Sequence, residues 1–213
     1  MKVVDNVYLL DSAKGAGVYL IVDKEIVLID TGFPWVGKKL LKELVDMGIR
    51  SADIKHILLT HHDVDHVGNA AMLQKVTGAA LWASEEDIPY IMEEMDRHSF
   101  KKYLAKAAML KKPGKINSYN DSEEFSRLNI KVIPSPGHTP GHVCLLYRDV
   151  LFIGDLIDNR KGYFKSFPDA WCWDAEKARE SIGKISRCSF EWICPSHGKP
   201  VKSRTFTGIS QPG

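Results

Sequence analysis

The stretch of sequence that decides the fold reads Thr60-His61-His62-Asp63-Val64-Asp65-His66. It directly follows Ile57-Leu58-Leu59, an apolar run typical of a buried strand. Three histidines and two aspartates within these seven residues offer imidazole nitrogens and carboxylate oxygens. Such atoms are the protein ligands of zinc, iron and manganese. The stretch therefore predicts a metal-binding loop at the end of a strand.

Further candidate ligands follow three other apolar runs. The run 130–133 leads to Pro136-Gly137-His138-Thr139-Pro140-Gly141-His142, the run 151–154 leads to Asp155, and the run 192–196 leads to His197. Six of the eight histidines lie in these four places. Because strand ends can share one edge of an open sheet, we expect these loops to converge on one metal centre.

The rest of the chain alternates strands and helices. Two hairpins are predicted, one from 18–22 and 26–29 and one from 143–147 and 150–153, and the second strand of each is followed by an aspartate, Asp30 or Asp155. Helical periodicity covers 36–47, 70–76, 86–95, 100–110 and 175–185. This order predicts an α/β fold in a single domain over residues 1–213, with a loosely ordered tail after about residue 202.

Composition excludes several classes of protein. A formal net charge of +2 argues against nucleic-acid binding by the whole molecule. The charged N-terminus and the absence of a long apolar run argue against a signal peptide and a membrane span. We therefore expect a cytoplasmic protein with a small-molecule substrate, and leave a homodimer open. The four cysteines are predicted to be reduced, mostly buried thiols without chemistry: Cys144, Cys172, Cys188 and Cys194.

Two regions bear on substrate choice. The segment 161–173 is rich in aromatic residues, which either line an apolar pocket or pack under a loop. The segment 85–115 is acidic and then basic, and is either a lid, a dimer contact or a solvated helix. In its basic part, one apolar face is predicted from Phe100, Tyr103, Leu104, Ala107 and Ala108.

These motifs resemble the metallo-β-lactamase superfamily. Its pattern has Asp-Thr-Gly after an early strand, a His-x-His-x-Asp-His loop, Gly-His-Thr-Pro-Gly-His, a Gly-Asp and a final His-Gly, and the corresponding elements run in that order from Asp30 to His197. The resemblance implies a four-layer αβ/βα sandwich. It also implies two divalent metal ions per chain, with zinc expected and iron or manganese as alternatives.

The resemblance assigns a role to each candidate residue. His61, Asp63 and His142 would hold one metal, Asp65, His66 and His197 the other, and Asp155 would bridge them. Asp65 and His66 are also the expected catalytic residues. Asp30 would support the ligand loop by accepting backbone hydrogen bonds. His62 and His138 fall at positions read as non-ligands, where they would pack or form supporting hydrogen bonds.

Asp63 departs from the family's commoner pattern, which has histidine there. As a ligand, its carboxylate would lower the charge of the centre by one and favour iron or manganese relative to an all-imidazole site. The alternative is that Asp63 points away and leaves the first site weak or empty.

The function implied by the resemblance is hydrolysis by a metal-bridging hydroxide. An aspartate at 155 resembles thioesterase and lactonase members, so an ester, thioester or lactone bond is expected. A non-haem iron redox enzyme, of sulfur dioxygenase or di-iron reductase type, is the alternative. A binding protein without turnover is a third interpretation, which the full ligand set disfavours.

Overall fold

The computed structural model describes residues 1–121 and 124–203. The chain divides into two compact units, residues 1–121 and 122–213. From residue 204 on, the tail that the sequence predicts to be loosely ordered lies outside the described residues. The single domain over 1–213 stays a prediction.

The first unit is built on a seven-stranded sheet in which the strands follow chain order. The first four strands are antiparallel neighbours, whereas the fourth to seventh run parallel. The β-branched and apolar runs that predicted strands form its centre. The strands are β1 (Lys2–Val4), β2 (Val7–Leu9), β3 (Tyr19–Val22), β4 (Ile26–Ile29), β5 (Ile54–Leu58), β6 (Ala80–Ala83) and β7 (Ile116–Ser118).

Helices connect the parallel strands of this unit, as parallel pairing requires. The first of them buries Leu40 and Leu44, one turn apart, and the chain leaves it through Gly48 at φ 79°. The helices are α1 (Gly37–Asp46), α2 (Val64–Val67), α3 (Ala70–Thr77), α4 (Ile88–Ile91) and α5 (Lys101–Ala108).

The second unit has a five-stranded sheet with the order β14-β13-β10-β9-β8 and a small two-stranded sheet of β11 and β12. In the larger sheet, β10 and β13 are parallel neighbours, and the other neighbours are antiparallel. The elements are α6 (Glu124–Arg127), β8 (Ile130–Pro134), β9 (Val143–Tyr147), β10 (Val150–Gly154), β11 (Ile157–Asp158), β12 (Lys165–Ser166), α7 (Ala175–Ile185), β13 (Trp192–Pro195) and β14 (Val201–Lys202).

Both predicted hairpins are confirmed, as β3–β4 and β9–β10, and the α/β class is confirmed. In the segment 85–115, however, the helices are shorter than predicted. The apolar face predicted there does not pack in the interior, because Tyr103 is 64% and Leu104 43% exposed. The helix α5 instead buries Lys101 and Ala105. Across the described residues, no helix combines the length and apolar character that crossing a membrane requires.

Candidate metal centre

In the first unit, the loops after β4 and β5 meet because these parallel strands end at the same edge of the sheet. The backbone amide of Asp30 donates to the carbonyl of Leu58 at 2.9 Å, which joins the two strand ends. Beyond them, the amide and the hydroxyl of Thr31 both donate to the carbonyl of His66 at 2.7 Å. The ligand loop is thus fixed at both of its ends.

Asp30 is the central acceptor of this loop. Its carboxylate accepts hydrogen bonds from the amide and the hydroxyl of Thr60, both at 2.8 Å, and lies 2.8 Å from Nδ1 of His66. The backbone hydrogen bond predicted for Asp30 is therefore present. The carboxylate also orients the imidazole of His66, so that the Nε2 side of the ring is left for another contact.

Four predicted ligands of this unit form two pairs. Nε2 of His61 lies 3.7 Å from Oδ2 of Asp63, and Nε2 of His66 lies 3.9 Å from Oδ2 of Asp65. The rings of His61 and His66 are adjacent, with centroids 3.9 Å apart. Each pair thus presents one imidazole nitrogen beside one carboxylate oxygen.

His62, between the two pairs in sequence, turns away into the protein. Its ring stacks on Tyr90 with centroids 4.4 Å apart, and its Nδ1 lies 3.0 Å from Oδ1 of Asp87. Its amide donates to the same carboxylate at 2.9 Å. The packing and supporting role predicted for His62 is confirmed.

Two buried cations beside Asp63 were missed by the sequence analysis. Nζ of Lys101 lies 2.7 Å from Oδ2 of Asp63, and Arg97 donates from Nε to the carbonyl of His62 at 3.1 Å. Burial lowers the pKa of Arg97, while the nearby carboxylates, Asp63 first among them, oppose that shift. Both residues were counted among the charges of a solvated segment, and nothing in their spacing marks them as buried.

In the second unit, three strand ends bring their loops to one edge. Because β10 and β13 are parallel, Asp155 and His197 follow neighbouring ends. β9 is antiparallel to β10, so its beginning, with His142 just before it, lies at the same edge. Oδ2 of Asp155 lies 3.3 Å from Nε2 of His197 and 3.5 Å from Nε2 of His138.

His142 lies differently from the ligand position that the sequence predicts for it. Its Nδ1 is 2.9 Å from the hydroxyl of Ser135, and its Nε2 accepts a hydrogen bond from the backbone amide of Asp155 at 3.2 Å. The imidazole that approaches the carboxylate of Asp155 from this loop is that of His138. The spacing of four residues between these histidines did not reveal which ring takes which role.

Of the two roles left open for the aromatic segment, packing is observed for two of its rings. Phe164 and Phe167 are each 6% exposed and pack inside the second unit. The ring of Phe167 contacts those of His138 and His197, with centroids 5.0 Å and 5.8 Å away. By contrast, Tyr163, Trp171 and Trp173 stay partly exposed.

The cysteines take no part in either ligand set. Burial raises the pKa of the Cys144 thiol to about 12 and that of the Cys194 thiol further still. Both thiols are therefore protonated near neutral pH and poor nucleophiles. The predicted burial is confirmed for Cys144, Cys172 and Cys194, whereas Cys188 is half-buried.

The donor chemistry of both units fits divalent metal ions. In the first unit His61 with Asp63, and Asp65 with His66, offer ligand atoms within 4.8 Å of each other. In the second unit His138 and His197 each do so with Asp155. Each pair joins imidazole nitrogen to carboxylate oxygen, the mixture used by hydrolytic zinc, iron and manganese centres.

Proteins named as hydrolases are similar in sequence to this chain. The chain is similar to the hydroxyacylglutathione hydrolase GloC of Haemophilus influenzae, with 26% identity over 63% of the chain and 62% of that protein. It is also similar to the hydroxyacylglutathione hydrolase of Shewanella halifaxensis, with 30% identity over 72% of the chain and 48% of that protein. The chain thus covers less than two thirds of either relative.

Solved structures show the same fold. The metallo-beta-lactamase family protein TTHA1429 of Thermus thermophilus matches 94% of the chain and 76% of its own length, with a TM-score of 0.74 and 20% identity. The metallo-beta-lactamase SMB-1 matches 86% of the chain and 74% of its own, with a TM-score of 0.68 and 20% identity. The family model of the metallo-beta-lactamase superfamily matches residues 15–197, which include every candidate ligand. The chain therefore belongs to the metallo-beta-lactamase superfamily.

Proposed function

We propose that this chain is a metal-dependent hydrolase of ester, thioester or lactone bonds, and that the ligands of its two units together hold two divalent ions. The observation that carries the proposal is the position of Asp155. Its Oδ2 lies within 3.5 Å of two different imidazoles, those of His138 and His197. A carboxylate between two nitrogen donors is suited to contact two ions at once.

For the second ion we propose Asp65, His66 and His197, as the resemblance implies. For the first we propose His61 and Asp63 together with His138, which replaces His142. The replacement is supported by the hydrogen bonds of His142, because a ring nitrogen that accepts from the amide of Asp155 is directed at the backbone. His142 then supports the centre by holding the backbone of Asp155 in place.

The ions would supply Lewis acidity and a water molecule of lowered pKa. The protein's own contribution is to fix the ligands and to limit their exposure to solvent. Asp65 and His66, the expected catalytic residues, are neighbours on α2, and Asp30 sets the ring orientation of His66. Phe167 packs against His138 and His197, which restricts both rings to one orientation.

The substrate class rests on two further arguments. Position 155 carries aspartate, as in the thioesterase and lactonase members that the sequence resembles. Two relatives, at 26% and 30% identity, are named hydroxyacylglutathione hydrolases, a name that agrees with this class. Because the chain covers 62% and 48% of those proteins, we propose the bond type and leave glutathione itself out of the proposal.

The test is a panel of ester, thioester and lactone substrates, assayed on protein purified without added metal and analysed for metal content. We expect hydrolysis that a chelator abolishes and zinc restores. His197→Ala should lose most of this activity, whereas His98→Ala, at an exposed histidine, should keep it. Turnover that survives complete metal removal would refute the proposal.

Iron as the bound metal, with oxygen consumption on a thiol substrate and no hydrolysis, would support the redox alternative instead. A cytoplasmic location, a small-molecule substrate and the absence of a nucleic-acid partner remain part of the proposal. Gel filtration of the purified chain decides whether a homodimer forms.

A further inference from the structure

A buried lysine, Lys101, lies beside the candidate ligands. It is the first residue of α5 and only 4% exposed. Lysine is seldom buried unless a partner compensates its charge. Here the partner is Asp63, whose Oδ2 lies 2.7 Å from the Lys101 ammonium. The residue at which this chain departs from the family's commoner histidine thus has an ion pair of its own.

The oxygen of Asp63 in that ion pair is also the one that lies near the imidazole of His61. Oδ2 of Asp63 lies 3.7 Å from Nε2 of His61 and 2.7 Å from Nζ of Lys101. An ion held between His61 and Asp63 would therefore share its carboxylate oxygen with an ammonium group. The two positive charges would lie a few ångströms apart in a buried region, where charges are weakly screened.

The charges of the pair also cancel. Asp63 contributes one negative charge and Lys101 one positive charge, so together they match the neutral histidine of the commoner pattern. The extra carboxylate therefore does not make the first metal position, proposed at His61, Asp63 and His138, more attractive to a cation. Arg97, buried and hydrogen-bonded to the carbonyl of His62, brings a further positive charge, which the carboxylates of Glu93 and Asp87 near it offset.

The second metal position, proposed at Asp65, His66 and His197, has a negative rather than a positive charge beside it. Its ligand His66 is backed by the carboxylate of Asp30, 2.8 Å from Nδ1. A carboxylate behind a ligating imidazole makes the ring a stronger donor and attracts the cation as well. One position is thus supported by an anion, while the other competes with a cation.

We propose that Lys101 is a built-in competitor of the first metal ion, so that the two positions fill in order, the second tightly and the first weakly. The inference rests on the proposed function, because it requires that both positions take metal. The inference adds an order of filling to that function: the chain holds one ion when metal is limiting and two only when metal is in excess.

The test is a titration of the metal-free protein with Zn²⁺ against a chromophoric chelator, with elemental analysis of the dialysed product. We expect one ion per chain after dialysis, and a second ion bound at least about tenfold more weakly. Lys101→Met removes the charge and keeps the length of the side chain. It should tighten the weaker step at least about tenfold and raise the dialysed content toward two.

Lys102→Met is the matched control, because Lys102 is the next residue of α5 and its ammonium lies over the ring of Tyr103, 5.1 Å from the ring centroid. It should bind zinc as the wild type does. Circular dichroism shows whether each variant is folded. If Lys101→Met does not fold, the wild-type titration still decides, since two ions bound with equal affinity overturn the inference.

A folded Lys101→Met that loses zinc would also overturn the inference, because the lysine would then be holding Asp63 in place for the ion. These results differ from failure of the proposed function. A wild type that binds no zinc at either position removes both proposals, whereas two equal sites remove only the role of Lys101.

Discussion

Replacement of Asp30 by asparagine tests how the ligand loop is held. The substitution keeps the size of the side chain, so it creates no cavity. The carboxylate now serves three groups, each at 2.8 Å: the amide and hydroxyl of Thr60 and Nδ1 of His66. An asparagine oxygen can still accept from the Thr60 amide, and the hydroxyl can rotate to accept from the new amide group. The charge-assisted bond to His66 is lost, because the asparagine presents a donor to Nδ1. The ring can accept from that donor only in the tautomer whose proton is on Nε2, which then cannot bind a metal.

The loss of one buried hydrogen bond to a charged group costs about 1.5–3 kcal/mol, which is the expected decrease in the free energy of unfolding of metal-free Asp30→Asn. Zinc affinity at the second position should fall by about 10–100-fold, as for other groups that orient a ligating histidine. Urea denaturation measures the first quantity and competition with a chromophoric chelator the second.

Asp46→Asn is the control, since Asp46 is exposed and pairs across the helix surface with Lys42. Its unfolding free energy should change by less than about 1 kcal/mol. If Asp30→Asn had the same free energy of unfolding and the same zinc affinity as the wild type, the carboxylate would not be orienting His66, and the reasoning would fail.

Three further substitutions, with Gly183→Ala as a control, test the packing and the aromatic segment. Gly68→Ala would place a Cβ 2.5 Å from the carbonyl oxygen of Gly32, so it should destabilise the protein by about 1–3 kcal/mol. Gly183→Ala, whose Cβ would lie in open space on α7, should cause no such loss of stability. Thermal unfolding compares the two variants, and equal melting temperatures would contradict the clash. Phe164→Ala should lower the free energy of unfolding by about 3–5 kcal/mol. Trp171→Ala, at a ring 41% exposed, should instead raise KM with little change in kcat, and equal destabilisation of both variants would show that Trp171 only packs.

The sequence was sufficient for the elements whose signal is local. Runs of β-branched residues ended where ligands began, so β4, β5 and β10 and the loops that follow them could be predicted. The backbone hydrogen bond of Asp30 could be expected from the resemblance, which assigns this residue to the support of the ligand loop.

The directions of individual side chains could not be predicted in the same way. His138 and His142 lie in a loop of glycines and prolines without a regular period, so their spacing does not specify which ring faces Asp155. Lys101 appeared to belong to a solvated helix, because its burial depends on where α5 packs in the first unit. Composition in the segment 85–115 gave no signal for that position.

Asn69 joins the loop after β4 to the helices after the ligand loop. Its side-chain amide donates to the carbonyls of Thr31 and Phe33, both at 2.7 Å, while Thr31 in turn binds the carbonyl of His66. These bonds connect protein to protein, so the loop is ordered before an ion arrives. Metal uptake then requires little loss of conformational entropy, in contrast to zinc fingers, which fold only on binding. We therefore expect the protein to remain folded after a chelator has removed its metal ions.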